Sequence, residues 1–293
     1  MKKKNNCGFF IFLTGNYVNL CAVLFLLLIP SILFPQDKSE EILNLGNEAM
    51  KNGDYQKAVE YFSDYILLCP DSASVYHSRA SAFLLLRKYN ESFDDVNKAL
   101  TLNPLNAGAY TTRAVLYMYM NNTGESIKDF EKSLEIDSFN VNTLNSYAAM
   151  IAQTGDFEKA LTLINKSLEI NPEYAEAYRN RGAIYYYYLK DTLMAFNEIE
   201  KAYELAPEKT DNINALGAMY REIGNYIKAI EYYNKALSVD PKNAEAYCRR
   251  GISYLYLEEY EKAIQDIEYG LMLNPEYKGQ VQKYLDEAKS KLK

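Results

Sequence analysis

The sequence predicts an all-α solenoid of helix–turn–helix units, on three observations. Prolines fall at Pro70, Pro104, Pro172, Pro207, Pro241 and Pro275, with gaps of 34, 68, 35, 34 and 34 residues. Small residues recur in the same register, and large apolar ones flank them at helical spacing. A fixed period near 34 residues marks one supersecondary unit repeated; no unit buries its apolar face alone, so neighbours must stack. Ser138, after Asp137, stands at the missing beat, so seven units run from Ser39 to Tyr277.

Each unit opens with an amphipathic helix. With the proline or its stand-in as position 32, position 8 reads Gly46, Ala80, Ala114, Ala148, Gly182, Gly217 and Gly251. Position 20 reads Ala58, Ser92, Ser126, Ala160, Ala195 (after a one-residue insertion), Ala229 and Ala263. Position 27 is mostly small, from Ala99 to Gly270, with Tyr65 the exception. Small side chains at these places let two helices approach closely, and large neighbours fill the gaps. The fillers include Tyr76, Tyr110, Tyr178 and Tyr247 at position 4, and Phe83, Tyr117, Tyr185 and Tyr254 at position 11. Positions 4, 7 or 8, and 11 share one helical face.

A turn follows, carried by Gly53-Asp54, Gly155-Asp156 and Gly224-Asn225, since glycine takes the left-handed conformation past a helix end. A second helix then runs to an Asn-Pro or Asp-Pro junction such as Asn103-Pro104 or Asp240-Pro241. Proline there cannot continue the helix and pushes its predecessor out of the helical region. The last segment, 278–293, puts Val281, Tyr284, Leu285, Ala288 and Leu292 on one face, as expected of a polar-backed capping helix.

Lysines occupy positions 2–4, and residues 5–36 carry no charge. A basic start before an apolar run is the pattern of an export signal, and the run is also long enough for a membrane anchor. Positive charge before it and Asp37, Glu40 and Glu41 after it predict that the repeats end up outside the cytoplasm. Cleavage and retention both remain open for residues 1–36. The membrane is expected to be met only through this segment.

Without those three lysines, 29 basic side chains face 39 acidic ones, a net charge of −10. Nucleic-acid affinity rests on basic side chains that release counterions, so this balance argues against such a partner. Cys69 and Cys248 belong to the first and seventh units, too far apart in a stacked array for a disulfide. His77 is the one histidine. No paired Cys-x-x-Cys, His-Glu-x-x-His or glycine-rich phosphate loop occurs, so the residues point to no metal, no cofactor and no catalysis. Twelve of the 28 tyrosines sit at positions 4, 11 and 17, packing positions of the repeat, and are read as architecture.

The small-and-large code resembles the tetratricopeptide repeat family, in AYRNRGAIYYYYL for a first helix and GNYIKAIEYYNKALSVDPKNAEAY for a turn and second helix. The resemblance covers residues 39–277 and implies a right-handed superhelical solenoid. Departures are local: Ala49 at an aromatic position, the Asn121-Asn122-Thr123-Gly124 turn, and Asp191-Thr192 with the extra residue. The resemblance also implies a concave surface lined by first-helix positions 2, 5, 9, 12 and 13. Arg179, Ala183 and Tyr187 form one stripe there, with Asn145 and Asn214 on neighbouring units. Tyr119 and Tyr256 occupy position 13 elsewhere.

These six residues, Asn145, Arg179, Tyr187, Asn214, Tyr119 and Tyr256, are the candidates for holding a protein or peptide partner. The amides would bind its backbone, the arginine a carboxylate and the tyrosine an apolar side chain. The family's carboxylate clamp finds no match; its nearest counterpart offers Arg179, Ala215, Glu245 and Arg249. The expected role is a non-catalytic interaction scaffold outside the cytoplasm. An envelope assembly or secretion factor, and a regulatory subunit of a separate enzyme, are the alternatives.

Overall fold

A computed structural model describes residues 35–292. The export segment read from the sequence lies, up to Phe34, outside the described residues. Among the described residues there are fifteen α-helices and no strand, and no helix is long and apolar enough to cross a membrane. The helices gather into two compact units that divide between Ser138 and Phe139.

The first unit holds α1 (Pro35–Lys51), α2 (Tyr55–Leu68), α3 (Ala73–Leu85), α4 (Tyr89–Leu102), α5 (Ala107–Tyr119) and α6 (Thr123–Ile136). They pack as three hairpins, and the second helix of one hairpin lies against the first helix of the next. The second unit repeats this with α7 (Val141–Thr154), α8 (Phe157–Ile170), α9 (Ala175–Tyr187), α10 (Thr192–Leu205), α11 (Thr210–Glu222), α12 (Tyr226–Val239), α13 (Ala244–Tyr256) and α14 (Tyr260–Leu273). A 3-10 turn, Pro275–Tyr277, then leads into α15 (Lys278–Lys291). Val281, Leu285 and Ala288 of α15 are buried against α13 and α14, whereas Leu292, past the end of the helix, is exposed.

Within each hairpin a small residue faces a large one sixteen or seventeen places on. A Cβ added to Gly217 would come within 2.8 Å of the Tyr233 ring, and one on Gly46 within 2.5 Å of Phe62. Ala80, Ala114 and Ala148 meet the same need opposite Val96, Phe130 and Ile164, all fully buried. Where serine replaces alanine at position 20, its hydroxyl is absorbed: Ser92 Oγ donates to the Ala80 carbonyl at 2.7 Å and Ser126 Oγ to that of Ala114 at 2.8 Å.

The turns keep one geometry on two chemistries. Gly53, Gly155 and Gly224 have positive φ, as the sequence predicts, but so do Arg87, Asn121, Lys190 and Glu258 at the equivalent places. The bond pattern explains why, since Lys88 N donates back to Phe83 O and Glu259 N to Tyr254 O, as Asn225 N does to Tyr220 O. Satisfying these last carbonyls needs a left-handed residue whatever its side chain. At the junctions, Asn103, Asn171, Asp240 and Asn274 each accept from the backbone N–H two residues on, at 2.9–3.1 Å. These side-chain turns fix the chain before proline closes off the helix.

A recurring arginine braces the hairpins. Arg79, Arg113, Arg181 and Arg250 each form a two-point pair with Asp95, Asp129, Glu198 and Asp266 on the following helix, at 2.6–3.0 Å. Each also reaches the preceding hairpin, at Ser63, Asn97, Asn165 and Asn234. Each guanidinium further lies 5.3–5.7 Å from a tyrosine ring three residues earlier, Tyr76, Tyr110, Tyr178 or Tyr247. The carboxylates are the more buried partners, 9–12% exposed against 18–22% for the arginines. Planar, two-point geometry and partial burial make this pairing stronger than an ordinary surface ion pair.

Candidate partner-binding cleft

Helices α9, α11 and α13, the first helices of the last three hairpins, wall a cleft of about 420 Å³ within the second unit. The helical spacing of 179, 183 and 187 brings one stripe of α9 to it, and the short residues Gly182, Ala183, Ala215 and Ala218 leave the room. Met219 and Ile199 add apolar surface. Tyr186 and Tyr187 stand at one side, edge to face with each other at 4.9 Å.

Three ion pairs complete the lining. Arg179 Nη1 on α9 forms an ion pair with Asp211 Oδ2 on α11 at 2.8 Å. Arg221 Nη2 bonds Glu222 Oε1 at 2.5 Å, and Arg249 Nε bonds Glu245 Oε1, one turn away on α13, at 2.7 Å. Here the carboxylate is the more exposed partner every time: 68% for Asp211 against 25%, 30% for Glu222 against 18%, and 31% for Glu245 against 25%. Burial alone would raise the Glu222 carboxyl, but a hydrogen bond from Tyr186 and the Arg221 guanidinium bring it below its ordinary value. Burial and the same bond to Glu222 push the Tyr186 phenol up to about 12. Glu222 therefore stays ionised at neutral pH.

Asn214 lines the cleft at 3% exposure. Asn243 Oδ1 accepts from Ala246 N as the cap of α13, and Asn214 Nδ2 donates to that same oxygen at 3.3 Å. This fixes the amide, and Asn214 Oδ1 is left without a hydrogen-bond partner. The hydroxyl of Tyr233, fully buried beneath Gly217, also has none, and burial pushes its pKa up to about 12.

Of the residues singled out from sequence, Arg179, Tyr187 and Asn214 converge here. Asn145 does not; it is 4% exposed and its Oδ1 accepts from Asn180 Nδ2 at 3.0 Å, so that amide serves contact between hairpins. Tyr256 stacks on Tyr226 at 4.9 Å in the second unit, and Tyr119 on Tyr89 at 5.1 Å in the first, each keeping about half its surface exposed. The four residues of the failed clamp match, Arg179, Ala215, Glu245 and Arg249, all line this one cleft. Tyr186, Asp211, Arg221 and Glu222 are not among the six candidates, although they fall at positions 2, 12 and 13 of the expected groove; that register was the signal that could have found them. Cys69 and Cys248 are buried and neither forms a disulfide, and burial pushes the Cys248 thiol up to about 11. Among the described residues no group of three or more His, Cys, Asp or Glu side chains is placed to hold a metal ion.

Family profiles described as tetratricopeptide repeat match residues 43–107, 107–140 and 244–277, and one described as TPR repeat matches 150–187 and 217–257. Among curated proteins, the chain is similar to the mitochondrial import receptor subunit TOM70 of Homo sapiens, 36% identical over 72 residues. That match takes in 23% of this chain and 12% of the receptor, so the chain spans a small part of the curated relative's length. Among solved structures, the human IFIT1 dimer with m7Gppp-AAAA superposes with a TM-score of 0.72 at 20% identity, covering 86% of this chain and 63% of that one. Yeast Tom70 gives 0.65 at 22% identity, covering 87% and 54%. At such identities these likenesses carry the fold.

Proposed function

The chain belongs to the tetratricopeptide repeat family, and from that premise we propose that it is an extracytoplasmic scaffold that holds a protein partner in the α9–α11–α13 cleft. Repeats of this family imply protein–protein interaction, and the family is generally non-catalytic. The observation that carries the cleft is the convergence of Arg179, Tyr187 and Asn214 in one 420 Å³ space with an alanine-lined wall. The exposed face of Tyr256 in the second unit offers further contact area, while Asn145 supports the fold of that unit. Location outside the cytoplasm is supported by Lys2–Lys4 followed by the uncharged residues 5–36. The acidic balance supports protein over nucleic acid as the partner.

Two experiments test this. Arg179→Ala and Tyr187→Ala are each expected to reduce capture of the native partner from the producing cell, by about 1–3 kcal/mol as anchors at an interface do. Lys166→Ala, on exposed surface away from the cleft, is the control. Capture unchanged in both cleft variants would remove the cleft assignment. A reporter fused after Asp37 is expected to be active only outside the cytoplasm, and cytoplasmic activity would end the export reading.

A further inference from the structure

We propose that the α9–α11–α13 cleft takes a basic segment of the partner, seating a lysine or arginine head against its carboxylates and the apolar stem along Ala183, Ala215 and Ala218; this rests on the cleft being the binding surface. Three independent features agree. First, in all three ion pairs the carboxylate side chain is the more exposed partner, most of all Asp211, so anionic oxygens are accessible to a segment that enters. Each oxygen already held by arginine keeps lone pairs for a second donor. The guanidiniums also keep free N–H donors, but their side chains are the less exposed partners, so an acidic segment would meet the carboxylates first and be repelled.

Second, Asn214 lines the same cleft, and its Oδ1 is a buried acceptor with no donor. Its amide is fixed by Asn243, so rotation cannot satisfy it. A small adjustment that opened this oxygen to the cleft would let an ammonium, a guanidinium or a peptide N–H satisfy it, whereas a carboxylate could not. Third, Tyr186 and Tyr187 offer ring surface beside these oxygens, and aromatic faces attract cations. The alanines suit the long apolar stems that lysine and arginine lay along a surface while the charge stays near water.

Three peptides of equal length are the probes, alternating leucine with lysine, with glutamate or with serine, titrated against the full chain by fluorescence anisotropy. The lysine peptide is expected to bind about tenfold or more tightly than the serine peptide, to weaken as salt rises, and to outbind the glutamate peptide. Asp211→Asn, on a well-exposed side chain that can be changed without harm to folding, is expected to weaken lysine-peptide binding about threefold. Combined with Glu222→Gln and Glu245→Gln it should remove the preference for lysine.

Tighter binding of the glutamate peptide, lost in Arg179→Ala, would overturn the basic-segment inference while leaving the cleft reading standing. Lysine-peptide binding unchanged in the triple variant would assign it to the acidic surface at large and overturn the inference as well. No binding by any of the three peptides counts against it equally, whereas the cleft reading is judged separately by capture of the native partner.

Discussion

Arg249 and Arg250 are adjacent in sequence, and both bond a carboxylate, yet their surroundings are opposite. Arg250 turns to Asp266 with two short bonds, reaches Asn234 on the preceding hairpin, and leaves its carboxylate the more buried partner. Arg249 turns to the cleft, bonds Glu245 on its own helix, and leaves its carboxylate the more exposed partner. Arg181 and Arg179 make the same contrast two residues apart on α9. The order of burial within a pair therefore separates two roles. Where the anion is covered, no outside group reaches it and the pair joins helices. Where the anion faces out, the pair is still open to a donor.

The largest effect that tests this contrast is on stability. Arg250→Ala removes two bonds to Asp266, one to Asn234 and the contact with the Tyr247 ring, and leaves Asp266 covered and unpaired. A loss of about 2–3 kcal/mol is expected by chemical denaturation, in the range for removing a charged hydrogen-bond partner from a covered group. Arg181→Ala should behave alike. A loss under about 0.5 kcal/mol would place the braces among ordinary surface ion pairs and dissolve the distinction.

A smaller effect of opposite sign sharpens it. Glu258 is exposed and sits at φ 61° in the turn between α13 and α14, where glycine holds the equivalent place in three other turns. The left-handed conformation costs a residue with a Cβ roughly 1 kcal/mol. Glu258→Gly should therefore raise stability by about that amount. Added to Arg250→Ala it should recover part of the lost stability and leave binding in the cleft as it was. Recovery in thermal unfolding without any change in partner capture would show that the hairpin's stability and the cleft can be tuned apart.

Much of this was legible in the sequence, because close packing imposes a period on residue size. The proline beat and the small residues at positions 8 and 20 registered the hairpins, since a larger side chain at Gly217 would strike Tyr233. The left-handed turns at Arg87, Lys190 and Glu258 were not legible, because backbone bonds impose that conformation and no glycine announces it. The braces do leave a trace in the sequence: Tyr-x-x-Arg, with an acid sixteen or seventeen residues on, in Tyr76–Arg79–Asp95, Tyr110–Arg113–Asp129, Tyr178–Arg181–Glu198 and Tyr247–Arg250–Asp266.

At the cleft, spacing located Arg179, Tyr187 and Asn214, but it could not tell an open amide from a committed one. Asn145 and Asn214 hold the same repeat position, but the oxygen of the first accepts from Asn180 while that of the second has no donor. Nor could spacing say that Arg179 would already be held by Asp211, since that pair joins residues 32 apart on two helices.

The smallest expected effect is the one that ties the contrast to function. If cleft carboxylates face outward to receive a donor, they add little to folding. Asp211 is 68% exposed, so screening by water should hold the contribution of its pair with Arg179 to stability within about 0.5 kcal/mol. Asp211→Asn and Glu245→Gln keep the size of each side chain and remove only charge. Both should retain the parent melting temperature within a degree or two and yet weaken the lysine-peptide complex. A folding loss comparable to Arg250→Ala would mean that Arg179–Asp211 and Arg249–Glu245 are braces too, with their exposure incidental. Unchanged stability together with a loss of binding would instead assign the outward carboxylates to recognition, because charge removed from a folded, unstrained surface then has no other place to register.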